Sequence, residues 1–136
     1  MDLKKLLEND LTRNGIVLTH KVEPAQLEIT ADPELLEQVL INLILNSIQA
    51  LQNISDPQII LEAMPDERGK TTIRIKDNGA GIAEEIQDRI FIPFFTTRKE
   101  GSGIGLSLSR QIIRSHGGNI RVVSKPFEET VFTIKL

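Results

Sequence analysis

Two asparagines one helical turn apart, Asn42 and Asn46, extend a polar stripe begun by Glu34 and Gln38 through an otherwise apolar stretch. Leu35, Leu36, Val39, Leu40, Ile41, Leu43, Ile44, Leu45 and Ile48 surround them, too many apolar residues for a surface helix. Asn is a poor interior helix former, and an amide buried without partners costs about 1–3 kcal/mol. The stripe is therefore either a solvated helix edge or the wall of a polar cavity, where amide oxygens meet a ligand or a metal ion.

Three clusters follow. In Asp77-Asn78-Gly79-Ala80-Gly81-Ile82 a carboxylate ends a strand and glycines allow close approach of the backbone to a ligand. Such a carboxylate can accept a hydrogen bond from an exocyclic amine, as on adenine, and would repel the carbonyl oxygen of guanine. Taken alone, the same residues make an ordinary turn. Phe91-Ile92-Pro93-Phe94-Phe95-Thr96-Thr97-Arg98 holds three of the chain's five phenylalanines. It reads as a small satellite core under a loop, and as the hinge of a movable lid with Thr96, Thr97, Arg98 and Lys99 toward a ligand. Gly101-Ser102-Gly103-Ile104-Gly105-Leu106 leads into a helix, where backbone N–H groups and the helix dipole suit phosphate. It follows an irregular segment rather than a strand, so it is not the dinucleotide fingerprint, and GxxxxGK[ST] is absent.

Elements able to position these groups are visible along the chain. Leu3, Leu6, Leu7 and Leu11 predict a short helix ending near Asn14-Gly15. Ile16–Val22 and Gln26–Thr30 read as strands separated by Glu23-Pro24. Asp32 and Pro33 open the long helix to Leu51 as cap and first residue. Ile59–Ala63 and Thr72–Lys76 read as strands, Ile82–Arg89 as a short helix, and Ile104–His116 as a second long helix stopped by Gly117-Gly118. Asn119–Ser124 and Thr130–Leu136 close the chain as a hairpin. Without a regular β-α-β rhythm, the expected class is α+β, a mixed and largely antiparallel sheet with helices on one face.

Composition narrows the function. At 136 residues the chain is one domain of ordinary size, 40% hydrophobic and 26% charged. A formal net charge of −3 argues against a general nucleic-acid binder. With no cysteine there is no disulfide, thiolate metal site or thiol nucleophile. No apolar run approaches the ~20 residues that span a bilayer.

Amide-bearing helix, DNGAGI, FIPFFTTR and then GSGIGL before a helix is an order that resembles the ATP-binding catalytic domain of bacterial sensor histidine kinases. These stand beside gyrase, the Hsp90 chaperones and MutL in one superfamily. The flank SRQIIRSHGGNIRVVS fits as well, so the resemblance covers essentially the whole chain, and the compact PFFTTR lid looks most like the nitrogen-regulation type. It implies the two-layer Bergerat fold, ATP and Mg²⁺, and a cytoplasmic domain that touches neither membrane nor nucleic acid.

Residue by residue, the resemblance makes Asn46 the Mg²⁺ ligand, Asp77 the acceptor of the adenine amine, and Gly79 and Gly81 the backbone around the base. Ile82, Phe95, Thr97, Ser102 and Leu106 join them as nucleotide contacts, with Gly101, Gly103 and Gly105 wrapping the phosphates. Hydrolytic relatives carry a glutamate general base four residues before the metal asparagine. Here that position is Asn42, which cannot take a proton at neutral pH and suits a kinase that keeps water from the phosphoryl group. Many histidine kinases have a basic residue three positions after the metal asparagine, whereas this chain has Gln49, leaving Arg98 or Lys99 to meet the γ-phosphate. Glu128-Glu129-Thr130 replaces a turn that often contains glycine, with no functional consequence expected. The acceptor histidine is normally followed by an acidic residue on a two-helix dimerisation domain. His20 precedes Lys21 and His116 belongs to the helix-ending HGG, so neither fits. The expectation is a catalytic half that binds ATP without phosphorylating itself, within a homodimeric parent that relays phosphate to a response regulator. A non-catalytic nucleotide-binding scaffold and a chaperone-like ATPase switch are the alternatives.

Overall fold

Short-range chemistry sets the ends of the helices. In the computed structural model, which describes residues 3–25, 27–95 and 104–136, helix α1 (Leu3–Arg13) places Leu7 and Leu11, one turn apart, in the core. Gly15 ends it at φ +65°, its N–H donating to the Thr12 carbonyl at 3.1 Å while Ile16 N–H donates to Leu11 at 2.9 Å. That pair of bonds satisfies carbonyls the helix would otherwise orphan. Helix α2 (Pro33–Ala50) begins as expected, with the Asp32 carboxylate accepting from the N–H groups of Glu34 and Leu35 at 2.9 and 3.1 Å. Helix α3 (Gly105–Ser115) ends like α1, with Gly117 at φ +77° and Gly118 N–H donating to Ile113 at 3.0 Å. A side chain on Gly118 would run into the Lys135 carbonyl oxygen.

His116, the C-cap of α3, is spent on structure. Its Nδ1 lies 2.8 Å from the Ile112 carbonyl, and its Nε2 accepts the Asp32 N–H at 3.1 Å. The end of α3 is thereby tied to the N-cap of α2.

The strands are β1 (Val17–Val22), β2 (Gln58–Pro65), β3 (Thr71–Asp77), β4 (Asn119–Lys125) and β5 (Glu129–Lys135). They form one sheet in the order β1-β2-β3-β5-β4, and only the β1–β2 pair is parallel. Register assembles three rows across β2, β3, β5 and β4 on the buried face: Ala63–Ile73–Ile134–Ile120, Leu61–Ile75–Phe132–Val122, and Ile59–Asp77–Thr130–Ser124. The first two rows pack against Val39, Leu43 and Ile44 of α2 and Ile113 of α3 in one core. The third is half polar and lies at the end where β3 stops. Arg74 and Arg121 point from the opposite, exposed face. The result is the expected α+β two-layer arrangement.

Local expectations fail in three places. Leu27–Thr30 is not a strand, and Gln26 lies outside the described residues. Leu27 and Ile29 alternate inward as a strand would, but the segment has no ladder partner among the described residues. Ile82–Arg89 is not an α-helix. It holds a single 3₁₀ turn, Glu84–Ile86, and the chain onward is carried by i→i+3 bonds such as Arg89 N–H to Ile86 and Ile92 N–H to Arg89. Ala83 supplies no side-chain cap there, and the Gln87 amide is engaged with Ile82 and Ser124 carbonyls. The phenylalanine cluster is not a satellite core, because Ile90 and Phe91 belong to the main one. No helix among the described residues is long and apolar enough to cross a membrane.

Candidate functional site

The polar stripe of α2 divides in two. Glu34 and Gln38 are exposed, as a solvated edge would be, while Asn42 and Asn46 are half-buried. The Asn42 amide N–H points to the Ser109 hydroxyl at 3.5 Å, and Ser109 on α3 is fully buried. A side chain on Gly105 would stand 3.8 Å from Asn42 Cγ, so the first residue of α3 lies against this amide. Two turns on, the Ala50 carbonyl accepts Ala80 N–H at 3.0 Å, and a Cβ on Gly79 would sit 2.5 Å from that same oxygen. One face of α2 thus runs from the start of α3 to the loop after β3, about 12 Å along the axis, with Asn46 midway.

At the far end of that face stands Asp77, 4% exposed, with Oδ1 accepting Gly79 N–H at 2.9 Å. Its neighbour Asn78 turns away to fasten the start of β2, accepting Gln58 N–H at 2.8 Å and donating to the Asp56 carbonyl at 3.0 Å. Gly81, at φ +81°, has no room for a side chain between Pro126 and Ser124. The space both glycines leave is filled by the fold itself, so they set the path of the loop after β3.

Beside Asp77 in the sheet lies Thr130, 3% exposed, and beside that Ser124. Their hydroxyls are 2.7 Å apart, and Ser124 Oγ also accepts the Ile82 N–H at 2.9 Å. Neither residue is among the candidates that the sequence suggests, where Ser124 and Thr130 stand only as the end and the start of the hairpin strands and Thr130 also closes the Glu128-Glu129-Thr130 turn. Strand periodicity could have found both. Thr130 shares a face with Phe132 and Ile134, and Ser124 with Ile120 and Val122, so each is a polar residue on an apolar face.

Phe91 meets Phe132 edge-on at 6.4 Å and carries the Arg110 guanidinium 5.5 Å over its ring. Phe94, at φ +69°, is 75% exposed, while Phe95, Ile82 and Leu106 are half-buried. Thr97, Arg98, Lys99, Gly101, Ser102 and Gly103 lie outside the described residues. Among those described, no three His, Cys, Asp or Glu side chains gather as a metal cage. The helix face carries two half-buried amides, Asn42 and Asn46, whose neutral oxygens are of the hard type that suits a largely hydrated Mg²⁺.

A family model described as histidine kinase-, DNA gyrase B- and HSP90-like ATPase matches residues 31–136. The chain belongs to this family. The Escherichia coli sensor histidine kinase ZraS is 38% identical over 132 residues, 97% of this chain and 28% of that protein. The signal transduction histidine-protein kinase AtoS of Escherichia coli is 44% identical over 108 residues, 79% of this chain and 17% of that protein. Among solved structures, the catalytic domain of histidine kinase ThkA matches at a TM-score of 0.85 and 31% identity, covering 98% of this chain and 86% of that one. ThkA in complex with the response regulator TrrA matches at 0.79 and 30% identity, covering 98% and 37%. The chain is a histidine-kinase-type ATPase catalytic domain, spanning under a third of the length of the curated relatives it matches.

Proposed function

We propose that this domain binds Mg·ATP and is the catalytic half of a two-component sensor histidine kinase, offering the γ-phosphate to a histidine on a separate dimerisation domain. The observation that carries the reading is the almost fully buried Asp77 at one end of an amide-bearing helix face whose other end meets the start of α3. Asp77 accepts from the adenine amine. Asn46 would hold Mg²⁺ through its amide oxygen, and the ion would supply charge neutralisation for phosphoryl transfer. Phosphate contact falls to Gly105 at the α3 N-terminus and, from the resemblance, to Gly101 and Gly103, with Thr97 and Arg98 or Lys99 the candidates for the terminal phosphate. Asn42 holds the base position without basicity, so water is not activated.

Exposed Ile92 (49%) and Phe94 (75%), ahead of the lid, offer an apolar lip for the acceptor-bearing domain of a dimeric parent. A response regulator follows in the relay, in keeping with the ThkA–TrrA complex. Self-phosphorylation by this half alone is not expected: His116 is engaged as a helix cap, and His20 lies on edge strand β1.

Calorimetry with non-hydrolysable ATP and GTP analogues in Mg²⁺ tests the nucleotide site. Saturable binding of the ATP analogue with little of the GTP analogue supports it, and equal binding of both, or of neither, rejects it.

A further inference from the structure

The open face of the sheet, away from the helices, concentrates charge of one sign. Register lays two neighbouring rows across all five strands there: Lys21–Glu62–Arg74–Thr133–Arg121 and Thr19–Ile60–Lys76–Val131–Val123. With Lys125 and Lys135 at the ends of β4 and β5, six cations share this face with two carboxylates, Glu62 and Glu129. The whole chain carries a formal net charge of −3. A face that only meets water mixes both signs, whereas this one gathers the cations of an acidic chain. Glu62 is spent within the face, its Oε1 lying 3.3 Å from Lys76 Nζ with both side chains largely covered. Neither Arg74 nor Arg121 makes an ion pair among the described residues, and both are exposed. They flank Thr133 from the strands on either side, so their Cα atoms stand about 10 Å apart with a hydroxyl between them. In the next row Val131 and Ile60 are half-buried, and Val123 on the edge strand is 66% exposed.

Guanidinium groups beside an apolar strip have the composition of an interface, with arginine as anchor and β-branched side chains to exclude water. We propose that this face docks a protein partner through a surface on which carboxylates alternate with apolar groups. The partner's Asp or Glu side chains take the Arg74 and Arg121 forks, and its apolar groups cover Val123 and Val131. A second copy of this chain is not that partner, because two-fold stacking of the face sets cations against cations. Five strands about 4.8 Å apart and roughly seven residues long give a face of about 400–500 Å². That is the size of a transient contact, in which complementary charge governs encounter. Because α2 and α3 pack on the other side of the sheet, the partner and a nucleotide do not compete.

The test titrates ¹⁵N-labelled domain with a short capped peptide of alternating Glu and Val, with its Gln-for-Glu counterpart, and with phosphatidylserine-containing vesicles. The Glu peptide should give saturable shifts on Arg74, Arg121, Val123 and Thr133, with a Kd of about 1 mM or tighter. Arg74→Gln combined with Arg121→Gln should weaken it about tenfold or more, as should high salt, while Mg·ATP affinity and the melting temperature stay unchanged. Both arginines are exposed, so the double variant keeps the fold. Absence of binding, equal binding of the Gln peptide, shifts confined to the outer edges of β1 and β4, or competition with Mg·ATP would each overturn the inference. Vesicles that bind the domain more tightly than the Glu peptide, and lose it in the double variant, would give the face to a membrane and overturn it as well.

Discussion

Asp77→Asn changes one atom's chemistry at constant shape, and the structure says which contact should suffer. The carboxylate has two oxygens, of which Oδ1 holds the Gly79 N–H at 2.9 Å. A base amine that bonds Oδ2 leaves this turn undisturbed. Asparagine has only one oxygen, and the buried loop N–H will claim it, because an unsatisfied buried donor is costly. The NH₂ then faces the adenine amine, donor against donor. A hydrogen bond to a charged acceptor contributes about 1.5–3 kcal/mol, so affinity for an ATP analogue should fall roughly 10- to 150-fold. Guanine's carbonyl oxygen would now meet a donor, so the GTP analogue should bind no worse and can gain. Calorimetry of both analogues, with thermal melting to show that the Gly79 turn persists, decides the matter. An unchanged affinity for the ATP analogue in a folded Asp77→Asn domain would refute the placement of the base.

Other consequences follow from single contacts. Asn46→Ala should weaken Mg·ATP binding about tenfold or more while leaving metal-free ATP nearly unaffected, since a lost metal ligand acts only through the ion; equal losses with and without Mg²⁺ would contradict the assignment. Gly118→Ala forces a methyl against the Lys135 carbonyl and should cost about 1–3 kcal/mol in urea unfolding without altering nucleotide affinity. The Asp66 carboxyl is held below its ordinary value of 3.8, chiefly by the Lys70 N–H, with desolvation opposing and the Arg68 N–H adding. A depressed folded-state pKa stabilises the fold above the unfolded value and loses that contribution as pH falls through the folded one. Asp66→Asn should thus lower the urea midpoint at neutral pH, with the gap closing in acid; a gap independent of pH would contradict it.

What the sequence made legible was local. Asp32-Pro33 encodes the start of α2 in two residues, and Gly15 and Gly117 encode the ends of α1 and α3, because caps depend on neighbours within a turn. The Asp77 cluster and the α2 amides were legible because each carries its spacing within one element. Leu27–Thr30 misled because alternation reports one buried side, whereas a strand also needs a partner that only the assembled sheet can supply. The Asn42–Ser109 contact joins residues 67 positions apart, so helix packing alone reveals it. Thr130 and Ser124 reach Asp77 through register across three strands, and the local string around Thr130 reads as the edge of a turn.

The most direct test of the central claim mixes this domain with labelled Mg·ATP and the separately purified dimerisation domain of its parent. The expected result is label on a histidine of the dimerisation domain, in acid-labile and alkali-stable form, and none on this domain alone. Label on His20 or His116, ATP binding with no transfer, or rapid hydrolysis by this domain alone would contradict it.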